Sequence, residues 1–410
     1  MTTLTLKKPL YVHPISTPIK SKRVESIDLL RGTVMIIMAL DHVRDYFHYS
    51  AFYYSPTDLT QTSVVLFFTR WITHYCAPTF VFLAGISAHL YGTRRTKKEL
   101  SLFLLTRGLW LVFAEFFLIT LGWTFNPTYP VFNLQVIWAI GISMIVLSAL
   151  VHLKLYQILL VGIILIGAHN LLDTVHVPGT GGNAVLWAFL HEWKDFTVGR
   201  VTFLIHYPVI PWIGIMAIGY FFGRFYASGY DPDNRRTVLL SIGLSAIALF
   251  IILRSDNFYG DAAFWSSQKT TIFSVMSFLN VTKYPPSLLY ILMTLGPSLL
   301  FLGLTEKPLG KLGAKIAVLG RVPFFYYVLH IFLIHLLAVI GVAIAGYHWW
   351  DMLFLSDRVN RVPGLKGYGF NLLTVYIVWI AVVLILYPLC NWYDKYKKAH
   401  QSESWWLSYV

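Results

Sequence analysis

The sequence predicts an all-α fold, a polytopic transmembrane helical bundle of about ten spans. Of the 410 residues, 57% are hydrophobic and only 12% are charged, and the mean hydropathy is +0.62. This balance lies outside the range of ordinary soluble domains. Apolar runs long enough to cross about 30 Å of hydrocarbon recur along the chain. A soluble fold is therefore excluded.

Ten apolar segments, or eleven if one of the long ones is divided, are predicted to span the membrane. Their ranges are 27–47, 62–91, 101–123, 133–151, 155–172, 202–225, 236–254, 285–304, 317–345 and 371–391. The second and ninth exceed one crossing, and Pro78 and Pro323 are the expected break points. Residues 27–391 then form the membrane domain, between a cytosolic N-terminal segment, 1–26, and a cytosolic C-terminal tail, 392–410.

The Lys and Arg residues predict the orientation of this bundle. With ten spans and a cytoplasmic N-terminus, most of the 32 Lys and Arg residues fall in cytoplasmic segments, as the positive-inside rule requires. Both termini are then cytoplasmic. The net charge of +13 is explained by this topology and by an anionic ligand, so no nucleic-acid partner is expected. Membrane lipid is the expected surrounding.

The first span carries the most informative polar residues. Arg31 and His42 lie eleven residues apart in SIDLLRGTVMIIMALDHVRDYF, which places them on one helix face about 16 Å apart. Asp45 extends this face, and Asp41 and His48 enlarge the polar cluster DHVRDYFH. An ionisable residue at bilayer depth costs at least about 2.5–3.5 kcal/mol, so such residues are functional candidates by default.

A second histidine is predicted at a similar depth on the next span. His74 lies in TRWITHYCAPTFVFLAG, with Arg70 one helical turn before it. Two facing histidines with neighbouring carboxylates would form an acid/base site, because an imidazole pKa of about 6.5 suits proton transfer near neutral pH. A bound metal is the alternative, but no H-E-x-x-H or comparable spacing occurs, so no metal is expected. Glu115, on the third span, is expected to meet a partner on another helix.

Five segments together resemble one family. They are SIDLLRGTVMIIMALDHVRDYF, FFTRWITHYCAPTFVFLAG, NLQVIWAIGISM, FLNVTKYPPSLLYILMTLG and GRVPFFYYVLHIFLIHLL. The chain resembles the membrane acyltransferases related to heparan-alpha-glucosaminide N-acetyltransferase, in particular their bacterial homologues, over most of residues 24–345. More distantly, Arg31 followed after ten residues by His42 is similar to the R-x10-H signature of the wider acyltransferase-3 group.

The resemblance implies that an acyl group, most simply acetyl, moves from cytoplasmic acetyl-CoA (acyl-CoA) to a glycan or amino-sugar acceptor across a bacterial inner membrane. Coenzyme A carries several phosphate charges, which basic side chains would bind. The expected coenzyme contacts are Arg31, Arg94, Arg95, Lys97 and Lys98, and the expected acceptor contacts are His48, Arg70 and Glu115. A homodimer is one of the oligomeric states left open.

The resemblance implies a base with two candidates. His42 is the first, with Asp41 or Asp45 fixing its tautomer, and it would take a proton from the acceptor. In the eukaryotic family members an Asn occupies the position of His42 and the catalytic His lies later in the chain, so His74 is the second candidate. Direct transfer and an acyl-histidine intermediate both remain open.

A secondary transporter is the alternative from another class of protein. In that hypothesis His42, Asp45 and Glu115 form a proton relay and Arg31 binds an anion. The absence of a detected internal repeat favours the enzyme, because many transporters are built from paired repeats.

Overall fold

The computed structural model describes residues 25–357, 359–400 and 407. Most of the predicted N-terminal segment, 1–26, therefore lies outside the described residues. The described chain is mostly helical, at 71%. Its α-helices, numbered α1 to α16 in chain order, are Glu25–Phe47, Val64–Trp71, Cys76–Gly92, Lys97–Ala114, Thr120–Thr124, Val136–Leu150, Leu155–Ala168, Gly182–Leu190, Val209–Phe222, Pro232–Asp256, Thr271–Leu279, Leu288–Leu304, Lys311–Arg321, Pro323–Ile344, Trp350–Leu353 and Leu372–His400.

Short irregular helical turns connect or extend several of these helices. Turns of 3-10 helix lie at Tyr49–Phe52, Ile72–Tyr75, His169–Leu172, Gly223–Tyr226, Val359–Arg361 and Pro363–Leu365, and a π-helical turn lies at Glu115–Ile119. Within the described residues, six helical segments are long and apolar enough to cross a membrane: Lys97–Thr124, Leu155–Leu172, Val209–Tyr226, Pro232–Asp256, Pro323–Ile344 and Leu372–His400. Two shorter apolar helices are α6 and α12.

A small β-sheet departs from the all-α prediction. Its strands are β1 (Val131–Leu134), β2 (Lys194–Val198) and β3 (Val201–Ile205), in the order β1-β3-β2. Strand β3 pairs parallel to β1 and antiparallel to β2. The sequence does not predict this sheet because its strands are only four or five residues long. Strands β1 and β3 are also followed by apolar helices, so their residues coincide with the beginnings of the predicted spans 133–151 and 202–225.

Both overlong predicted spans are divided. In the second, a 3-10 turn at Ile72–Tyr75 separates α2 from α3, and Pro78 lies in the first turn of α3. In the ninth, α13 ends at Arg321 and α14 begins at Pro323, because proline lacks the backbone donor that a continuous helix needs but fits a first turn.

Paired glycines let the main helix pairs approach closely. At each crossing, a Cβ atom added to one glycine would meet the partner helix at 3.1 Å or less. The pairs are Gly32 with Gly320 (α1 and α13), Gly85 with Gly219 (α3 and α9), Gly108 with Gly141 (α4 and α6), Gly162 with Gly214 (α7 and α9), and Gly243 with Gly296 (α10 and α12). Small residues at such contacts are typical of helix packing in membranes, where backbones must approach to gain van der Waals contact.

The crossing of α1 with α13 positions the candidate site. A Cβ on Gly320 would lie 1.9 Å from the carbonyl oxygen of Asp28, and a Cβ on Gly32 would lie 2.1 Å from that of Ile316. These contacts make α13 antiparallel to α1. After the break at Pro323, α14 turns back and also packs along α1. The α13–α14 hairpin therefore packs along α1, most of whose side chains are buried.

Gly320→Ala should lower the free energy of unfolding by about 1–3 kcal/mol, because the added methyl group overpacks against the backbone of α1. Gly313→Ala, on the same helix, is the matched control, since its nearest atom lies at an ordinary 3.4 Å and alanine favours a helix. Thermal unfolding of the detergent-solubilised protein measures both. An equal midpoint for the two variants would contradict the close crossing.

Candidate active site

A polar cavity of about 490 Å³ lies at the end of α1. Its walls come from α1, from the loop after it, from α2 and from the segment that precedes α12. Among its charged and imidazole-bearing lining residues are Asp41, His42, Asp45, Arg70, His206 and Lys283. Four residues singled out from the sequence, Asp41, His42, Asp45 and Arg70, are thus brought together here.

His42 pairs with a histidine on α14. Its Nδ1 lies 2.7 Å from Nε2 of His330, and the two rings stack with their centroids 4.9 Å apart. Nδ1 of His330 lies 3.0 Å from the carbonyl oxygen of Tyr326, one turn earlier. The histidine that faces His42 is therefore His330, whereas the sequence predicted His74.

This contact with a backbone carbonyl fixes the protonation pattern of a neutral pair. A carbonyl oxygen only accepts hydrogen bonds, so His330 carries its proton on Nδ1 and presents the lone pair of Nε2. His42 then donates from Nδ1 to that lone pair, which leaves Nε2 of His42 unprotonated. Nε2 of His42 is consequently the proton acceptor of the pair, oriented by a second group as a general base requires.

The two carboxylates of α1 that line the polar cavity, Asp41 and Asp45, pair with arginines. Arg44 donates to Asp41 at 2.8 Å and to Asp45 at 2.5 Å, and Arg70 donates to the second oxygen of Asp41. Such pairing offsets the cost of placing these charges in a buried setting, and removing one partner would leave a charge uncompensated. Asp41 and Asp45 thus hold arginines instead of the tautomer of His42, which was their predicted role.

Aromatic rings restrict the remaining sides of His42. The indole of Trp123 meets it edge-on with centroids 4.9 Å apart, and the ring of Tyr327 lies at 6.2 Å. Trp123 is itself anchored, because Tyr46 donates to its carbonyl oxygen at 2.6 Å. The imidazole is therefore held in one orientation by packing as well as by its hydrogen bond.

A second cavity, of about 300 Å³, begins beside Arg31. Arg31 donates to the carbonyl oxygen of Gly320 at 3.1 Å and to the hydroxyl of Ser87 at 2.9 Å. Apolar side chains of α3, α4, α6 and α14 form most of the wall. Three further cations line it: Arg107, Arg321 and Lys397. The cavity therefore combines an apolar surface with positively charged groups, two of which have carboxylate partners, Asp28 at 3.5 Å from Arg31 and Asp394 at 2.8 Å from Arg321.

The two cavities approach each other at Tyr327. This residue lines the cavity of Arg31, and its ring lies 6.2 Å from His42, which lines the polar cavity. The ring of Tyr327 is also 5.4 Å from that of His330. A molecule that extends from Arg31 past Tyr327 would therefore reach the histidine pair from the side opposite the polar cavity.

Three candidates from the sequence lie outside both cavities. His74 is buried, and its backbone carbonyl oxygen accepts a hydrogen bond from the hydroxyl of Tyr290 at 2.7 Å, while Nδ1 of its imidazole has no hydrogen-bond partner among the described residues. Glu115 is buried and accepts from the backbone nitrogen of Trp138 at 2.7 Å, at the N-terminal end of α6, where backbone donors have no partner within the helix. His48 caps the 3-10 turn at Tyr49–Phe52 by accepting from the backbone nitrogen of Ser50.

The basic turn before α4 also lies outside both cavities. Arg94, Arg95, Lys97 and Lys98 are exposed, and Lys97 donates to the backbone carbonyls of His152 and Leu153. Arg95 stacks at 4.5 Å on the ring of Tyr91, which lines the cavity of Arg31. This turn therefore approaches the outer end of that cavity without forming its wall.

The sequence contained only weak signals for the residues that were missed. His330 stood among several histidines of apolar segments, and its position does not indicate which of them faces His42. Arg321 and Lys397 lie near the ends of hydrophobic segments, where snorkelling to the membrane surface is the usual explanation. The folding of α13, α14 and α16 against α1 brings all three to the cavities.

Two cavities thus approach each other beside an oriented histidine pair inside a helical bundle. A family model described as "Heparan-alpha-glucosaminide N-acetyltransferase, catalytic" matches residues 23–255, more than half of the 410-residue chain. The chain belongs to this family, and the resemblance drawn from the sequence is confirmed. The family indicates a membrane N-acetyltransferase.

The matched range includes Arg31, His42 and Arg70 but ends before His330 and Lys397. His330 and part of the lining of the cavity of Arg31 therefore lie outside the range that the family model matches. No curated protein matches the chain.

Acid should weaken the native state through His48. Burial and the nearby charge of Arg44 lower the pKa of His48 from 6.5 to about 4. Between these values the unfolded chain binds a proton that the folded chain does not, so stability is complete above pH 6.5 and falls as the pH drops towards 4. The expected loss at pH 5 is about 1–2 kcal/mol.

His48→Asn tests this effect, because asparagine retains the capping acceptor without titrating. The variant should lose less of its thermal midpoint than the natural protein between pH 7.5 and 5. If both proteins lost the same amount, His48 would not be the group responsible.

Proposed function

We propose that the chain transfers an acetyl group from cytoplasmic acetyl-CoA to the amine or hydroxyl of a sugar, with an amino sugar of the glucosamine type as the acceptor. The observation that supports this most is the approach of a basic cavity and a polar cavity at Tyr327, beside the base His42. Family membership supplies the reaction class, and the cavities suggest how the two substrates are held apart.

Coenzyme A would lie in the cavity of Arg31. Its phosphates match the cations there, Arg31, Arg107, Arg321 and Lys397, since arginine forms paired hydrogen bonds with phosphate oxygens. The long, thin pantetheine arm matches the apolar wall between α3, α4 and α14. The thioester would then lie near Tyr327, at the end of the cavity closest to His42.

The acceptor would occupy the polar cavity. The carboxylates of this cavity and the aromatic side chains of Trp123 and Tyr284 suit a sugar. The hydroxyl groups of a sugar need hydrogen-bond acceptors, and its apolar face packs on aromatic rings. Asp45 remains partly exposed to this cavity, with a side chain 39% accessible. His48 and Glu115, expected from the sequence to contact the acceptor, form no part of this proposal.

In the proposed reaction, the acceptor nitrogen or oxygen attacks the carbonyl carbon of the thioester. Nε2 of His42 takes the proton that the attacking atom loses. The carbon–sulfur bond then breaks, and His42 returns this proton to the departing thiolate, so that coenzyme A leaves as its thiol. His330 holds the tautomer of His42 throughout, and no group other than the acetyl crosses between the cavities.

The proposal retains the predicted membrane arrangement. Ten to eleven spans, a membrane domain over residues 27–391 and two cytoplasmic termini would place the cavity of Arg31 towards the cytoplasm, where acetyl-CoA is available. The polar cavity at the other end of α1 would then face the opposite side of a bacterial inner membrane. A cysteine-accessibility map of the loops tests this arrangement.

His42→Ala should lower kcat for acetyl transfer by about 10²–10⁴-fold, the usual contribution of a general base. His330→Gln should cause a smaller loss, since glutamine can accept from Nδ1 of His42 but holds it less firmly. His74→Gln is the control for a buried histidine outside the cavities and should retain most of kcat. Assays of purified protein with acetyl-CoA and glucosamine measure all three. Loss of activity in His74→Gln alone would transfer the role of base to His74.

Arg31→Gln should weaken acetyl-CoA binding about tenfold, because it removes a charged contact to phosphate. Arg94→Gln is the matched control from the exposed turn and should change the affinity less than twofold. Thermal stabilisation by acetyl-CoA and by desulfo-CoA, which cannot react, measures binding without turnover. A larger effect at Arg94 would place the phosphates at the turn, and no stabilisation by either ligand would contradict an acyl-CoA donor.

A further inference from the structure

We propose a binding site for a divalent transition-metal ion of the Zn²⁺ type at His169, Asp173 and His191. The three residues lie outside both cavities of the candidate active site. One ring nitrogen of each histidine and one carboxylate oxygen lie within 4.8 Å of one another. Imidazole nitrogen with carboxylate oxygen is a ligand set that zinc commonly uses.

One of the three distances between ligand atoms already suits a bound ion. Nε2 of His191 lies 3.1 Å from Oδ1 of Asp173, and two ligands of a tetrahedral zinc ion are about 3.3 Å apart when the bonds are about 2.0 Å. The rings of His169 and His191 meet with centroids 5.4 Å apart at an interplanar angle of 70°. The ligand atoms all lie within 4.8 Å of one another, and contraction of the longer separations towards about 3.3 Å would complete three ligands.

His169 provides the independent indication of a ligand. Its side chain is buried, with 2% exposed, and neither ring nitrogen has a hydrogen-bond partner in the part of the chain that the structure describes. Buried polar atoms without partners are rare because losing their contact with water costs free energy. A metal ion bound to one of these nitrogens would supply the missing partner. Nδ1 of His191 is likewise buried without a partner.

A neighbouring amide orients the proposed carboxylate ligand. Asn170 donates from its side chain to Oδ2 of Asp173 at 2.8 Å, and its own oxygen accepts from the backbone nitrogen of Leu288 at 2.9 Å. Such contacts to a ligand's second oxygen are usual around metal ions, where they fix the geometry. The Asp173 side chain is 18% exposed, which leaves an approach for the ion and for water as a fourth ligand.

The site would join segments that are separate in the sequence. His169 and Asp173 lie at the 3-10 turn after α7, His191 follows the end of α8, and Asn170 connects this turn to the first residue of α12. An ion that binds only the native arrangement must stabilise it. We therefore assign the site a structural role in holding the loop after α8 against the ends of α7 and α12.

The test uses the full-length protein in detergent, stripped with a chelator and dialysed. Addition of Zn²⁺ should load one ion per chain and raise the thermal midpoint by about 5 °C at a hundredfold excess over Kd. Co²⁺ should give the visible absorption of a tetrahedral site with nitrogen and oxygen ligands. Failure of the stripped protein to bind either ion would overturn the proposal.

Variants locate the ion. His169→Ala and Asp173→Asn should each weaken Zn²⁺ binding at least about tenfold, and Asn170→Ala should weaken it by about 10–100-fold through the orientation of Asp173. His152→Ala, at an exposed histidine, should bind as the natural protein does. If His169→Ala fails to fold, Asp173→Asn and the Co²⁺ spectrum still decide the matter. Zn²⁺ binding unchanged in Asp173→Asn would show an adventitious surface ion and refute the site.

Discussion

The contact between α1 and the α13–α14 hairpin is the constraint on which both cavities depend. Gly32 and Gly320 let the two backbones touch, and the hairpin then supplies one partner at each end of the polar face of α1. Arg31 donates to the carbonyl oxygen of Gly320, and His42 meets His330 further along. Because helix geometry fixes the separation of Arg31 and His42 at about 16 Å, the distance between the two cavities is set before any ligand binds.

Charge pairing at the end of α1 complements this backbone contact. Asp41 pairs with both Arg44 and Arg70, and the pair with Arg70 connects α1 to α2. Replacing one member of this ion pair by an uncharged residue would leave the other charge buried without a partner, which is strongly destabilising. The arginines occupy the carboxylates that could otherwise bind His42. The imidazole of His42 therefore pairs with His330, which is itself oriented by the backbone carbonyl of Tyr326, and the lone pair of Nε2 of His42 remains outside these hydrogen bonds.

Local patterns predicted the features that depend on a single segment. The shared face of Arg31 and His42 follows from helical spacing, and the break at Pro323 follows from the chemistry of proline. His330 could not be selected, because no pattern within α14 states which neighbour it faces. The basic turn at Arg94 appeared suitable for phosphate from charge density alone, whereas each of the four cations in the cavity wall comes from a different helix. Strands β1 and β3 were hidden because they lead directly into apolar helices.

The separation of the cavities has a chemical consequence for the proposed transfer. Coenzyme A is too charged to leave the cations beside Arg31 and enter a polar cavity past the rings of Tyr327 and Trp123 without losing those contacts, and burying phosphate charge unpaired is costly. The donor and the acceptor would therefore meet at the histidine pair, each from its own side. With Nε2 of His42 unprotonated, a single base could receive the acceptor's proton and return it to the thiolate, so that only the acetyl group and this proton pass between the substrates.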